Sequence, residues 1–136
     1  MAKARLDGPI LLDHTQAAAW MRNWMRRLGY EDAELVNEGL CPTIRSREAV
    51  AQVEWEERPV FLLALQALNG VAAYEQRVPL YFARGGFAHS ARRWALCTGI
   101  ALFQYDALGR VVGIDHLGRR LSRRARSAKG IQVFEC

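Results

Sequence analysis

The stretch Ala49–Pro59, AVAQVEWEERP, alternates apolar and polar residues and then meets a proline and a long apolar run. Alternation with that period is the pattern of a strand. Side chains two apart on a strand point the same way, so Gln52 and Glu54 share a face. Glu56 and Glu57 follow them, then Arg58 and Pro59. A polar pair at the end of a central strand, with carboxylates beside it, is one way to build a metal-dependent phosphodiester-cleaving site. An ordinary strand with its polar face in solvent has the same pattern. From Pro59 to about Tyr74 the residues are apolar almost all round, with proline at the first turn, where its missing N–H costs nothing. Such a helix is expected to lie between a sheet and a further neighbour rather than on the surface.

The rest of the chain supplies partners for this strand and helix. Asp13 is placed to cap a helix, with Gln16 in the capping-box position. Ala17, Trp20, Met21, Trp24, Met25 and Leu28 form its apolar stripe, Arg22, Asn23, Arg26 and Arg27 the opposite side, and Gly29 its stop. Ala33–Val36, Leu40–Arg47 and Ala49–Trp55 then read as an antiparallel meander, with a turn at Asn37-Glu38-Gly39. Val78–Ala83, a helix over Ala88–Cys97 and the apolar run Ile100–Tyr105 read as a right-handed crossover joining two parallel strands. Arg110–Ile114 reads as a short strand, and Ile131–Phe134 as a last strand or an ordered tail.

Composition narrows the setting. A chain of 136 residues, 51% hydrophobic, has enough material for one domain with a sizeable core. The division expected is an N-terminal arm over 1–12, a core over 13–114 and a basic arm over 115–136. Leu11-Leu12 is too short for a signal sequence and no long apolar run occurs, so a cytoplasmic protein with no membrane partner is expected. The three cysteines, Cys41, Cys97 and Cys136, match no zinc pattern and are expected as thiols. Net charge is +5, and Arg119, Arg120, Arg123, Arg124, Arg126 and Lys129 follow one another with no acid between them. A run of this kind suits a polyanion, nucleic acid first of all; taken alone, it also suits a solvated helix face.

Two segments, AVAQVEWEERPV and YFARGGFAHSARRWALCTGIALFQYDALGRV, resemble the Mrr-type restriction-endonuclease-like family, small actinobacterial members most of all. The resemblance covers roughly residues 14–112. It implies the PD-(D/E)xK nuclease core: an α/β, three-layer fold, α-β-β-β-α-β-α-β, with a mixed central sheet of about five strands flanked by helices. In that family an Asp on the middle meander strand and a Gln or Glu on the next hold a divalent cation, and a Lys two residues later assists the attacking water. Here Gln52 fills the Gln/Glu position, and Glu54 stands where the Lys belongs. TIRSR, residues 43–47, resembles the segment that opens with the family's Asp, which puts Thr43 in its place, or Cys41 after a slip of two residues.

The resemblance with these losses implies a catalytically degenerate, DNA-binding nuclease-like domain of bacterial DNA processing or defence, needing no cofactor. Phosphate contacts are expected from Arg45, Arg47, Arg84, Arg119, Arg120, Arg123, Arg124, Arg126 and Lys129, on single- or double-stranded DNA. The Gly85-Gly86 turn puts free helix N–H groups near His89 and Ser90, a further phosphate position or simply a tight connection. One alternative is an active endonuclease with a migrated site, holding Mg²⁺ or Mn²⁺ through Glu38, Gln52 and Glu54. Glu48, Glu56 and Glu57 are further candidate ligands for it. The other is an interaction module, binding a protein partner or pairing with a copy of itself through the apolar helix.

Overall fold

The computed structural model describes residues 10–37 and 41–128. Four helices and six strands follow in the order α1 (His14–Arg27), β1 (Glu34–Asn37), β2 (Thr43–Arg45), β3 (Ala49–Glu54), α2 (Leu62–Glu75), β4 (Val78–Ala83), α3 (His89–Ala95), β5 (Ala101–Tyr105), β6 (Val111–Gly113) and α4 (His116–Ala128). The strands form one sheet in sequence order. β1, β2 and β3 pair antiparallel, β3, β4 and β5 pair parallel, and β6 closes the edge antiparallel to β5. This mixed α/β sheet has the element order that the family resemblance implies. It has six strands rather than about five, because Val111–Gly113 joins the ladder. The tail at 131–134 lies outside the described residues.

Parallel strands need crossovers, and crossover helices cover the faces of the sheet. Alternation then sorts the side chains. Ala49, Ala51 and Val53 face α1 and α4, in a core with Met21, Met25, Leu28, Ile44, Phe82, Phe103 and Leu121. Val50 faces the other way, with Tyr81 and Leu102, under Leu65 and Leu68 of α2 and Ala91 and Ala95 of α3. The result is three layers, α1/α4, sheet and α2/α3.

The cap at Asp13 forms as the spacing predicts. Its carboxylate accepts from Gln16 N–H at 2.9 Å, and Gln16 Oε1 accepts from Leu12 N–H at 2.8 Å. Gly29 ends the region at φ +114°, a value few other residues adopt. α2 departs from the expectation of burial on all sides. It buries Leu65, Leu68 and Ala72, while Phe61, Leu63, Val71 and Tyr74 stand 62%, 77%, 42% and 90% exposed. Among the described residues, nothing packs on that outer stripe.

Residues 116–128, read from sequence as a basic helix or arm, form a helix docked on β5 and β6, with Leu121 in the core. Asp115 caps it, its Oδ1 accepting from Gly118 N–H at 2.8 Å and from Leu102 N–H of β5 at 3.1 Å. Burial raises the Asp115 pKa, against the pull of those two donors. Gly113 and Gly118 let the backbones meet. A Cβ on Gly118 would lie 2.4 Å from Leu102 O, and one on Gly113 would lie 2.4 Å from the Gly118 carbonyl carbon. Gly118→Ala should therefore cost about 1–3 kcal/mol, a fall of roughly 3–10 °C in Tm by circular dichroism. Gly70→Ala, where an added Cβ meets nothing within 4 Å, should raise stability by about 0.5–1 kcal/mol.

Candidate functional site

Strand register builds a polar row on the α2 side of the sheet. Gln52 of β3 stands between Thr43 of β2 and Tyr81 of β4, its direct partners on either side. Gln52 Nε2 donates to Thr43 Oγ1 at 3.0 Å, and Cys41 Sγ donates to Gln52 Oε1 at 3.5 Å. Cys41 Sγ also lies 3.9 Å from the Tyr81 hydroxyl. Both candidates for the family's Asp position, Thr43 and Cys41, thus converge on the same glutamine. Burial pushes the Cys41 thiol above its ordinary pKa; the hydrogen bond with Tyr81 opposes this and the charge of Glu54 adds to it. The Tyr81 hydroxyl is pushed far up by burial first, then by Cys41 and Glu54. This is a neutral, mutually satisfied set of groups.

Two residues on, Glu54 shares the face of Gln52 and ends the strand. Its Oε2 accepts from Glu56 N–H at 3.1 Å, and its carbonyl accepts from Tyr105 O–H at 2.8 Å and from Arg84 N–H at 3.1 Å. The Arg84 side chain braces the strand end. Its Nε donates to Trp55 O at 2.7 Å, its guanidinium lies 3.9 Å over the Trp55 ring, and Glu57 is 3.7 Å away. Trp55 in turn stacks on Tyr105 at 6.4 Å. Clefts of about 330 Å³, along Thr43, Arg45, Gln52 and α2, and about 410 Å³, along Glu54, Arg58, Tyr81 and α2, flank the row.

The cations expected on DNA occupy separate places. Arg45 lies on the α2 side, paired to Glu75 at 2.8 Å. Arg47 is exposed after β2, with Asp32 3.7 Å from its Nε. Arg119, Arg120, Arg123 and Arg124 are exposed on α4, on the opposite side of the sheet from Gln52. The side chain of Arg126, and Lys129 and Glu38 altogether, lie outside the described residues. α1 adds Arg22, Arg26 and Arg27 to the α4 layer. Its C-terminal end meets α4: a Cβ on Gly29 would lie 3.7 Å from a terminal nitrogen of Arg124. Sequence pattern marks those three arginines as the polar side of a helix; the structure puts that helix in the same layer as α4, with Arg26 turned to Ala33 O beside β1. The Gly85-Gly86 turn is a close backbone approach, since a Cβ on Gly85 would sit 2.4 Å from Arg58 N, and α3 beyond it has only seven residues.

Thr43, Cys41 and Gln52 do not by themselves fit Mg²⁺ or Mn²⁺; Glu54 is the one carboxylate on their face, and Glu38, the remaining ligand of the alternative set, lies outside the described residues. A hard divalent ion prefers charged or carbonyl oxygens, whereas Thr43 offers a neutral hydroxyl, Cys41 a thiol held protonated, and Gln52 an amide oxygen already taken by that thiol. Among the described residues, no group of three or more His, Cys, Asp or Glu side chains is placed to hold a metal ion. Nor is any helix among them long and apolar enough to cross a membrane.

Comparison with known proteins finds no matching family and no matching curated protein. Among solved structures, the apo form of EndoMS matches at 12% identity with a TM-score of 0.41. The match covers 62% of this chain and 46% of that one, so the chain spans under half the length of its structural neighbour. At that score the likeness carries no weight for activity or ligand.

Shielding of Cys41 is directly measurable. With its pKa raised and its sulfur in the row, Cys41 should react with iodoacetamide at pH 8 at least about tenfold more slowly than exposed Cys97. Peptide mapping of a time course reads both rates, and equal labelling would mean that the row is open.

Proposed function

We propose that this protein is a DNA-binding domain of nuclease-like fold with a degenerate hydrolytic centre, acting in bacterial DNA processing or defence. DNA lies along the α1/α4 face. The observation that carries this reading is the charge of that face. Arg26 and Arg27 of α1 share it with Arg119, Arg120, Arg123 and Arg124 of α4, and none of the six is ion-paired with a described acid, while Arg22 is half-buried with its Nε out of solvent. Arg26 donates twice to Ala33 O, and Arg27 lies 4.8 Å over the Trp24 ring. Those contacts are to a backbone carbonyl and to a ring, not to a carboxylate. A phosphate backbone is the partner such a face suits, because each neutralised phosphate releases counterions.

The chemistry of the polar row supports the loss of hydrolysis. Cleavage of the family's kind needs a bound divalent ion to polarise the phosphate and acidify a water, and a cation to steady the charge that develops. Thr43 puts a neutral hydroxyl where that chemistry has its Asp, and Glu54 puts an anion where it has the lysine. Gln52, the residue retained, spends its amide on Thr43 and Cys41. A second reading, a protein-interaction module, has its own observation in the exposed apolar stripe of α2.

Gel shifts on single- and double-stranded DNA across a salt series, with Mg²⁺, Mn²⁺ or chelator, test the proposal. Affinity should fall with salt, ignore the chelator, and leave the DNA uncut. On duplex, Arg119→Ala with Arg123→Ala should flatten the slope of log K against log salt by about 2. Arg45→Ala, on the other face, should leave the slope unchanged. Metal-dependent cutting would overturn the degenerate centre, and salt-independent or absent binding would overturn the DNA reading.

A further inference from the structure

The outer stripe of α2 is the largest feature that the DNA reading leaves unused. Leu63, Ala67, Val71 and Tyr74 recur at helical spacing along its solvent side. From Val60 to Tyr74 there is no charged residue, in a molecule of net charge +5. A polyanion finds no cation there. A like-charged copy of the chain, however, can approach at this strip without bringing cations together.

The two ends of the strip differ. Near the α2 N-terminus Glu54, Glu56 and Glu57 outnumber Arg58 and Arg84. Near its C-terminus Arg45 and Arg77 outnumber the Glu75 they flank. A two-fold axis across the middle of a helix runs it antiparallel to its copy, so each end faces the opposite end. Over a helix of about 21 Å, the acidic end of one protomer then meets the basic end of the other at both rims. The strip is self-complementary in charge under that operation.

We infer that a second copy of this chain docks on the α2 stripe, Leu63, Val71 and Tyr74 of each protomer packing against those of the other with the helices antiparallel. The layer order gives this dimer a function. α1 and α4 lie on the far side of the sheet from α2, so the two basic faces point away from each other. One dimer therefore holds two nucleic-acid segments at once. The bridging part rests on the DNA reading above; the dimer part does not.

Light scattering on a sizing column at micromolar concentration separates the two. The wild-type chain should run at twice its monomer mass. Leu63→Glu and Tyr74→Glu, both at exposed positions, should run as monomers with an unchanged circular dichroism spectrum. Leu96→Glu, an exposed apolar position on the far end of the α3 region, should remain dimeric. A wild-type monomer, or a dimer untouched by both α2 variants, would overturn the inference. Two differently labelled duplexes should co-migrate on the wild-type protein and not on Leu63→Glu, while the affinity of that variant for a single duplex stays within about twofold. A dimer that binds no DNA leaves the α2 contact standing and removes the DNA reading. A dimer that binds single duplexes but never joins two overturns the bridging.

Discussion

Parallel pairing of β3, β4 and β5 is the constraint on which the other features depend. A sheet of this kind is apolar on both faces and must be covered on both. Here α2 and α3, the crossover helices, take one side, while α1 and α4 take the other. α4 reaches its place by backbone contact as much as by side chains, through Gly113, Gly118 and the Asp115 carboxylate that ties its first turn to β5. The layers then decide which groups can act together. Gln52 and Thr43 face α2, whereas the densest positive charge faces away on α1 and α4.

That separation shapes the proposed function. The polar row is a neutral hydrogen-bonded strut between β2, β3 and β4, and the arginines of α1 and α4 lie on the other side of the sheet. In the function proposed, the layer of α1 and α4 holds DNA and the row does not cut it. The apolar strip inferred to meet a copy of the chain lies outside that sheet, on the solvent side of α2.

Much of the fold could be read from residues because its signals are local. Asp13 with Gln16, the stripe from Ala17 to Leu28, the alternation at Ala49–Glu54 and the glycines that end segments each act within a few positions. The short strand Val111–Gly113 became part of the sheet only through its partner β5. The character of α2 was harder to read, since a helix apolar all round gives no hint of which face lacks a cover. The site was half legible. Gln52 and Glu54 are readable from alternation and Thr43 only from the family resemblance, and the part played by Tyr81 depends on parallel register with Gln52, a relation between strands some thirty residues apart in sequence. Arg26 and Arg27 likewise gain their place from α1 and α4 lying in one layer, which periodicity does not encode.

Hydrogen–deuterium exchange with and without a DNA duplex at low salt tests the central claim most directly, because it reports on both faces of the sheet in one experiment. The account predicts slower exchange across α4 and the second half of α1 when DNA is added, with β2, β3 and the turn at Gly85-Gly86 unchanged. Protection confined to the ends of β2 and β3, with α4 unaffected, would contradict it and return the phosphate to the face that carries Gln52 and Glu54.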